Sequence, residues 1–488
     1  MKIIFTIIWF LFSLKIFLFW LWLWQLKEYH IGRFRAHFES QRWKKITSGF
    51  WRIKFPKLTK KIIIIVLTGF LGEVIFLQLV YFQRSGAFYL LLLSFLILSP
   101  LLFSFLVLIF QIPTRLLKQK ITNKAAQKIG RRKDLKVIGI TGSYGKTSTK
   151  EILYTLLSGK YKVLKTKKHI NSEIGIAQTI LKELKEDHQF FVCEIGAYEK
   201  GKIEEVSKII KPQIGILTGL NSQHLSTFGS QENIRKGKFE LIENLTENGM
   251  AILNGNNPLV LSLESKIGEK IKKKIISSKE KADLWAEKIK VGKNQLNFRV
   301  FSKKGQSADF ELNLIGKQNI ENILLSVLTA QEMGISLERS AQVLRDFKLG
   351  IPVISKGDGG FNVIDASYSA NPQSVISHIE HLRNWKGKRA VVMPCLIELG
   401  EFAGKVHYEI GEKIGQICNL ALITTSDYFS EVKKGFLNSK AKGKIFLVED
   451  PKEISLFLEN FRGREDIILL ESRVPSKLKK FLTAKNGY

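Results

Sequence analysis

The residues with the clearest chemistry are Thr141-Gly142-Ser143-Tyr144-Gly145-Lys146-Thr147-Ser148. A short β-branched run precedes them and a helical pattern follows, the context in which a glycine loop cradles phosphate. Gly142 and Gly145 let the backbone wrap around phosphate oxygens. The helix that opens at Lys146 turns free N–H groups and the positive end of its dipole toward the anion. Lys146 has the reach for β- and γ-phosphates, and the Thr147 hydroxyl suits Mg²⁺. The general phosphate-loop pattern wants a glycine at position 140, where this chain has Ile140, so the loop is the tighter TGxxGKT form. Three further residues fit metal-assisted phosphoryl transfer: Glu194 at the end of an apolar run, His224 after another run, and Lys238 in a helical stretch. Taken one at a time, such a His is equally a structural hydrogen-bonding residue, and such a Lys a solvated one.

These residues need elements to hold them. From residue 135, short strand-like runs (136–141, 189–195, 213–218, 250–253) alternate with helical patterns (147–158, 173–185, 200–210, 231–245). Strands alternating with helices predict a parallel sheet with crossover helices. Residues 283–314 read as an antiparallel β-rich insertion, and 318–348 as a long helical stretch. A second alternation follows, with strands at 362–366, 389–393, 420–424, 444–448 and 466–470. The expected domains are therefore 134–348, binding nucleotide, and 349–488, with a Rossmann-like pattern.

The first third is of another kind. Residues 3–24, 62–83 and 87–112 are apolar runs long enough to cross a bilayer, interrupted only by Lys15 and Glu73. Those two charges either pair, or Lys15 snorkels while Glu73 is protonated or lines a helix contact. Segment 25–61 holds eleven basic residues against two acids, and 113–136 holds nine against one. Basic loops stay cytoplasmic, so the expected topology has the N-terminus outside, 25–61 inside, a tight outer turn at 84–86, and everything after 112 inside. Trp20, Trp22 and Trp24 are expected at the inner interface. Residues 113–133 read as a basic juxtamembrane linker.

The chain has 488 residues and a formal charge of +32, and residues 1–136 carry 23 basic residues against 4 acidic ones. Beside membrane helices, such a collar predicts contact with anionic lipid rather than nucleic acid, for which no signature is present. Three scattered cysteines, Cys193, Cys395 and Cys418, exclude a disulfide scaffold and a CxxC zinc site.

The order TGSYGKTS, NSEIG, EIGA, TGLNSQHLSTFGS and KGKFELI resembles the central domain of the Mur ligases. LNGNNP (253–258), GKQNIEN (316–322), DASYSANPQS (365–374) and ELG (398–400) extend the likeness, which is nearest the MurF type. The resemblance implies an ATP-dependent ligase that joins an amine, such as a D-Ala-D-Ala dipeptide, to a muramoyl-peptide carboxylate through an acyl phosphate. It implies ATP at Gly142, Ser143, Gly145, Lys146, Thr147 and Ser148, with Asn171 near the loop and Asn319 and Asn322 near the adenine. It implies two Mg²⁺ ions served by Thr147, Glu194, His224 and a carbamylated Lys238, with Lys146, Lys238 and His224 taking part in catalysis. The family's UDP-sugar-binding domain is replaced here by the apolar segment, so the carboxylate substrate is either UDP-linked or lipid-linked. The ligase domains are expected on the cytoplasmic side of the plasma membrane.

Departures from the family pattern fall mainly in the second soluble domain. Ile351 stands where an Arg is expected. Ala366 and Ser369 replace an acid and an Asn. Pro394–Gly400 replaces GDMxELG, and LESRV replaces KGSRG. In the GxHNxxN stretch, Gln318 takes the His position. Ile351 and Ala366 suit an alternative reading, a non-catalytic ATP-binding scaffold. The retained Lys146, Glu194, His224 and Lys238 suit a ligase. A transport ATPase would need more polar lining than one Lys and one Glu provide.

Overall fold

The computed structural model describes residues 2–27, 29, 31, 34, 54–83, 85–167, 170–221, 225–348, 353–357, 360–367, 371–475 and 478. These form two compact units, Met1–Ile121 and Thr122–Tyr488.

In the first unit, helices Lys2–Leu26, Lys60–Tyr81 and Ser85–Ile109 correspond to the three apolar runs. All three are long and apolar enough to cross a membrane. Their outward faces remain greasy: Ile8, Leu67 and Leu101 are each more than 60% exposed, which suits a lipid solvent and not water. Inside, the Trp20 and Trp24 indoles donate to Ser104 Oγ at 2.7 and 3.0 Å. The two rings expected at the headgroup level thus aim their N–H groups at a neighbouring helix. Pro100 cannot donate to the Leu96 carbonyl four residues back, and Ser99 Oγ does so instead at 2.9 Å. Glu73 is buried and accepts from Ser13 Oγ at 2.9 Å. The stretch expected as a linker is helical, running Gln111–Gly130. Most of the basic loop 25–61 lies outside the described residues.

The second unit contains two sheets. The first has nine strands in the order β2-β3-β1-β4-β5-β6-β7-β8-β9. These are β1 Lys136–Thr141, β2 Val163–Lys165, β3 Phe190–Glu194, β4 Ile214–Leu217, β5 Met250–Asn254, β6 Lys272–Ser277, β7 Leu284–Val291, β8 Leu296–Ser302 and β9 Ser307–Leu312. From β2 to β7 the pairing is parallel. All residues of β3 and β4 are buried, as expected where helices cover both faces. The β-rich segment is not a separate insertion: β7–β9 pair antiparallel and continue the same sheet. β2 and β6 were not expected, because β2 is only three residues long and β6 (KKKIIS) opens on three lysines.

The helical stretch 318–348 is two helices, Asn319–Glu332 and Leu337–Arg345. Gly334 at φ 80° ends the first, and Ser336 caps the second by accepting from Arg339 N. The second sheet has the order β10-β11-β15-β12-β13-β14. Its strands are β10 Val353–Lys356, β11 Asn362–Ala366, β12 Arg389–Met393, β13 Leu420–Ile423, β14 Lys444–Leu447 and β15 Ile467–Glu471. All its pairings are parallel except β10–β11. Apolar clusters lie on both faces, one around Ile364, Val391 and Leu469 and the other around Val363, Val392 and Leu470. Successive strand residues therefore point into opposite cores.

Candidate active site

β1 delivers the chain to the phosphate loop, and the loop turns into the helix Lys146–Ser158. Gly142 (φ 148°) and Gly145 (φ 79°) are in the left-handed region. A Cβ on Gly142 would overlap the Thr218 hydroxyl, and one on Gly145 would overlap Asn322 Oδ1. The loop is thus shaped by the end of β4 and by the helix Asn319–Glu332. Ser143 N donates to Gly219 O at 2.7 Å, and Ser143 Oγ accepts from Asn221 N at 3.3 Å. Lys146 Nζ curls back onto the carbonyl of Gly142 at 2.8 Å. Burial pulls its pKa down, opposed by Glu194. Ser148 is half-buried in the first helical turn.

Glu194, the last residue of β3, is the hub. Its Oε2 accepts from Thr147 Oγ1 at 3.0 Å and from Lys150 Nζ at 3.2 Å. Its Oε1 accepts from Asn171 Nδ2 at 3.3 Å. Parallel pairing of β1 with β3 sets Ile140 beside Glu194, so this acid ends level with the loop. Lys150 is fully buried. It lies one helical turn beyond Lys146, on the face that meets β3; helical spacing from Thr147 was the sequence signal that could have found it. Asn319 and Asn322 stand beneath the loop. Asn322 Oδ1 accepts from Thr149 Oγ1 at 3.3 Å and its Nδ2 donates to Asn319 Oδ1 at 3.2 Å. As placed, the two asparagines brace the loop and its helix. Glu321, also unanticipated, accepts from Asn254 Nδ2 at 2.7 Å and Asn256 Nδ2 at 3.0 Å, tying the LNGNNP turn to the same helix.

Lys238 lies on the helix Gln231–Glu243 and is 2% exposed. Its Nζ donates to Ala197 O at 3.0 Å, just beyond Glu194 in the chain. Burial holds its pKa well below the usual lysine value. The positive charge of Lys146 acts in the same direction, and Glu240 opposes both. Glu240 itself caps the helix Lys202–Ile210, accepting from Gly201 N at 2.6 Å and Glu204 N at 3.1 Å. His224, Ile351 and Ser369 lie outside the described residues. Ala366 ends β11, and its side chain supplies no carboxylate.

The donor set fits a magnesium-bound triphosphate. The two glycines let the loop backbone pack directly against Thr218 and Asn322, and a threonine hydroxyl in the first helical turn is bonded to a strand-end carboxylate. A parallel sheet with a glycine loop of phosphate-binding pattern at its strand ends, followed by a second Rossmann-like sheet, is the architecture expected of a Mur-class ligase.

Comparison with known proteins makes the assignment narrower. Residues 140–330 match the Mur ligase middle domain family. The chain is 26% identical to the UDP-N-acetylmuramoyl-tripeptide–D-alanyl-D-alanine ligase of Bacillus subtilis over 368 residues, covering 75% of this chain and 78% of that protein. It is 30% identical to the ligase of the same name from Escherichia coli over 281 residues, covering 57% and 61% respectively. The crystal structure of MurF ligase from Thermotoga maritima in complex with ADP superposes with a TM-score of 0.66 at 25% identity, over 75% of this chain and 83% of that one. A MurF structure from Acinetobacter baumannii, at 24% identity and TM-score 0.66 over 73% and 78% of the two chains, shares the fold. Residues 140–330 thus carry a Mur ligase middle domain, and the chain is similar to MurF-type Mur ligases, enzymes that form a C–N bond. The family match begins at residue 140, beyond the three apolar helices.

Proposed function

We propose that this protein is a membrane-anchored ligase of cell-wall precursor synthesis. It would join an amino acid or dipeptide amine to a muramoyl-peptide carboxylate through an acyl phosphate, with ATP as co-substrate. The observation that carries this is the convergence of Thr147, Lys150 and Asn171 on Glu194 beneath the glycine loop. Loop N–H groups and Lys146 would hold the triphosphate. Its β- and γ-phosphates would draw the Lys146 ammonium away from the Gly142 carbonyl. Thr147 and Glu194 would hold one magnesium ion, and His224 with a carbamylated Lys238 a second. Bound magnesium would offset the negative charge that builds on the phosphate oxygens.

Carbamylation suits Lys238 on chemical grounds. A buried amine with a depressed pKa is neutral enough to take up CO₂, and the product is an anion where a cation would repel metal. Docking of the second sheet's domain over the cleft would keep water from the acyl phosphate, which hydrolyses readily. The apolar helices would hold the site at the cytoplasmic leaflet, where it could reach a lipid-linked carboxylate as well as a UDP-linked one. The basic helix beside them would contact anionic headgroups.

The test is phosphate release by full-length protein in detergent, given ATP, magnesium, precursor and D-Ala-D-Ala. Release that depends on both acceptor and amine, and that Lys146→Ala abolishes, is expected. Release indifferent to both would mean a plain ATPase. ATP binding without turnover would establish the scaffold reading, which the missing carboxylate at Ala366 favours. For Lys238→Ala, activity should fall at least a hundredfold and return in part with short carboxylic acids. No return would remove the carbamate assignment.

A further inference from the structure

Two of the sites where this chain departs from the Mur pattern touch one another through a third residue. Gln318 stands in the His place of GxHNxxN, and Glu471 stands where KGSRG has its first Gly. The Gln318 amide nitrogen lies 3.2 Å from His378 Nε2, and His378 Nδ1 lies 2.7 Å from Glu471 Oε2. Ser377 Oγ donates to Gln318 Oε1. His378 and Glu471 are 6% and 0% exposed. The donors and acceptors fit one arrangement. Nδ1–H donates to the carboxylate, Nε2 accepts from the Gln318 amide, and the Gln318 carbonyl accepts from Ser377.

This chain of bonds crosses between the two sheets' domains. Gln318 immediately precedes the helix Asn319–Glu332, whose Asn322 shapes the phosphate loop. His378 lies on the helix Pro372–His381, and Glu471 ends β15. The same helix makes a second crossing near its start, where Asn221 donates to Gln373. Asn221 is in turn bonded through its backbone to Ser143 of the loop. One helix of the second domain therefore grips the nucleotide loop's supports on two sides. The grip is kept at a cost to stability, since Glu471 Oε1 is buried with no hydrogen-bond partner among the described residues. A half-satisfied buried carboxylate is the sort of local violation that folds tolerate where a position must be held.

We propose that His378, oriented by Glu471, is a positioning residue: through Gln318 it docks the second domain onto the nucleotide side of the central domain. The proposal deepens the ligase reading and rests on it only for naming that side. It gives the chain an interdomain latch built from Gln318, His378 and Glu471.

The experiment uses full-length protein in detergent, spin-labelled at Lys304→Cys and Glu409→Cys, one exposed site in each domain. The three native cysteines are buried. Pulsed electron–electron resonance should give one narrow distance. His378→Ala and Gln318→Ala should each broaden it, and the double variant should be no worse than either single one. Glu471→Gln, which keeps an acceptor for Nδ1–H, should preserve the narrow distribution, whereas Glu471→Ala should not. In turnover assays His378→Ala should raise KM for ATP about tenfold, with a smaller effect on kcat. Unchanged distances, or broadening that adds fully in the double variant, would overturn the proposal. A protein that shows the latch but no amine-dependent turnover would sink the ligase reading and leave the docking role standing.

Discussion

Gly145 shows how little freedom the loop has. Its φ of 79° already costs an L-residue about 1–2 kcal/mol, and a Cβ there would meet the Asn322 side chain. Gly145→Ala should therefore abolish nucleotide binding, measured by titration with an ATP analogue, while lowering the melting temperature only modestly. Lys150 presents the opposite case, a charge with no exposure. Removing one partner of a buried ion pair costs about 3–5 kcal/mol because the other charge is stranded. Lys150→Met should strand Glu194 and destabilise the central domain by that order in urea unfolding. A loss below 1 kcal/mol would mean that Glu194 finds its compensation elsewhere. At this scale the sequence was legible where spacing is local, as in Gly142 to Ser148. It was silent on Glu321, whose partner Asn254 is 67 residues away in the chain. For Lys150 it offered only the helical spacing from Thr147, not the partner Glu194, 44 residues away.

Helices and strands followed their patterns wherever a single period dominated. β1, β11 and β12 span the expected residues because apolar runs bounded by turns admit little else. The pattern was weaker where burial is one-sided or the element is short, hence β2, β6 and β10. The helix Ala403–Ile417 carries His407, fully buried, with Nε2 accepting from Leu396 N at 2.8 Å and Nδ1 donating to Ala403 O at 2.6 Å. Burial lowers its pKa from the ordinary value of about 6.5, against the raising effects of the Ala403 carbonyl, Glu431 and Asp427. His381 is shifted the same way, by burial and the nearby His378, against the Lys293 carbonyl. The unfolded chain therefore binds protons that the folded one refuses. Stability from these groups is complete above pH 6.5 and declines as pH falls from there toward the depressed folded values. Melting temperature should drop between pH 7.5 and 5.5, and His407→Gln should flatten that slope. A pH-independent melting temperature would contradict the linkage.

For the molecule as a whole, the greasy outward faces and the basic loops make a prediction about sidedness. The three native cysteines are buried, so engineered ones can be read cleanly. In intact cells, Ser85→Cys should react with a membrane-impermeant maleimide and Lys57→Cys should not. The reverse pattern would place the ligase domains outside, away from ATP. Equal labelling of both only after lysis would argue against any span.

The sequence by itself determined the chemistry of the loop, the three apolar runs and the strand–helix alternation, since each depends on residues within a turn or two of one another. It also carried the likeness to Mur ligases, through motifs strung along the chain. Only the tertiary structure decided which strand ends share a level, that β7–β9 continue the main sheet, and that Lys150, Asn171 and Thr147 meet on Glu194. The same holds for the bonds joining Gln318, His378 and Glu471. Such meetings depend on strand order and register, and those are settled by how whole faces pack, which local spacing does not encode.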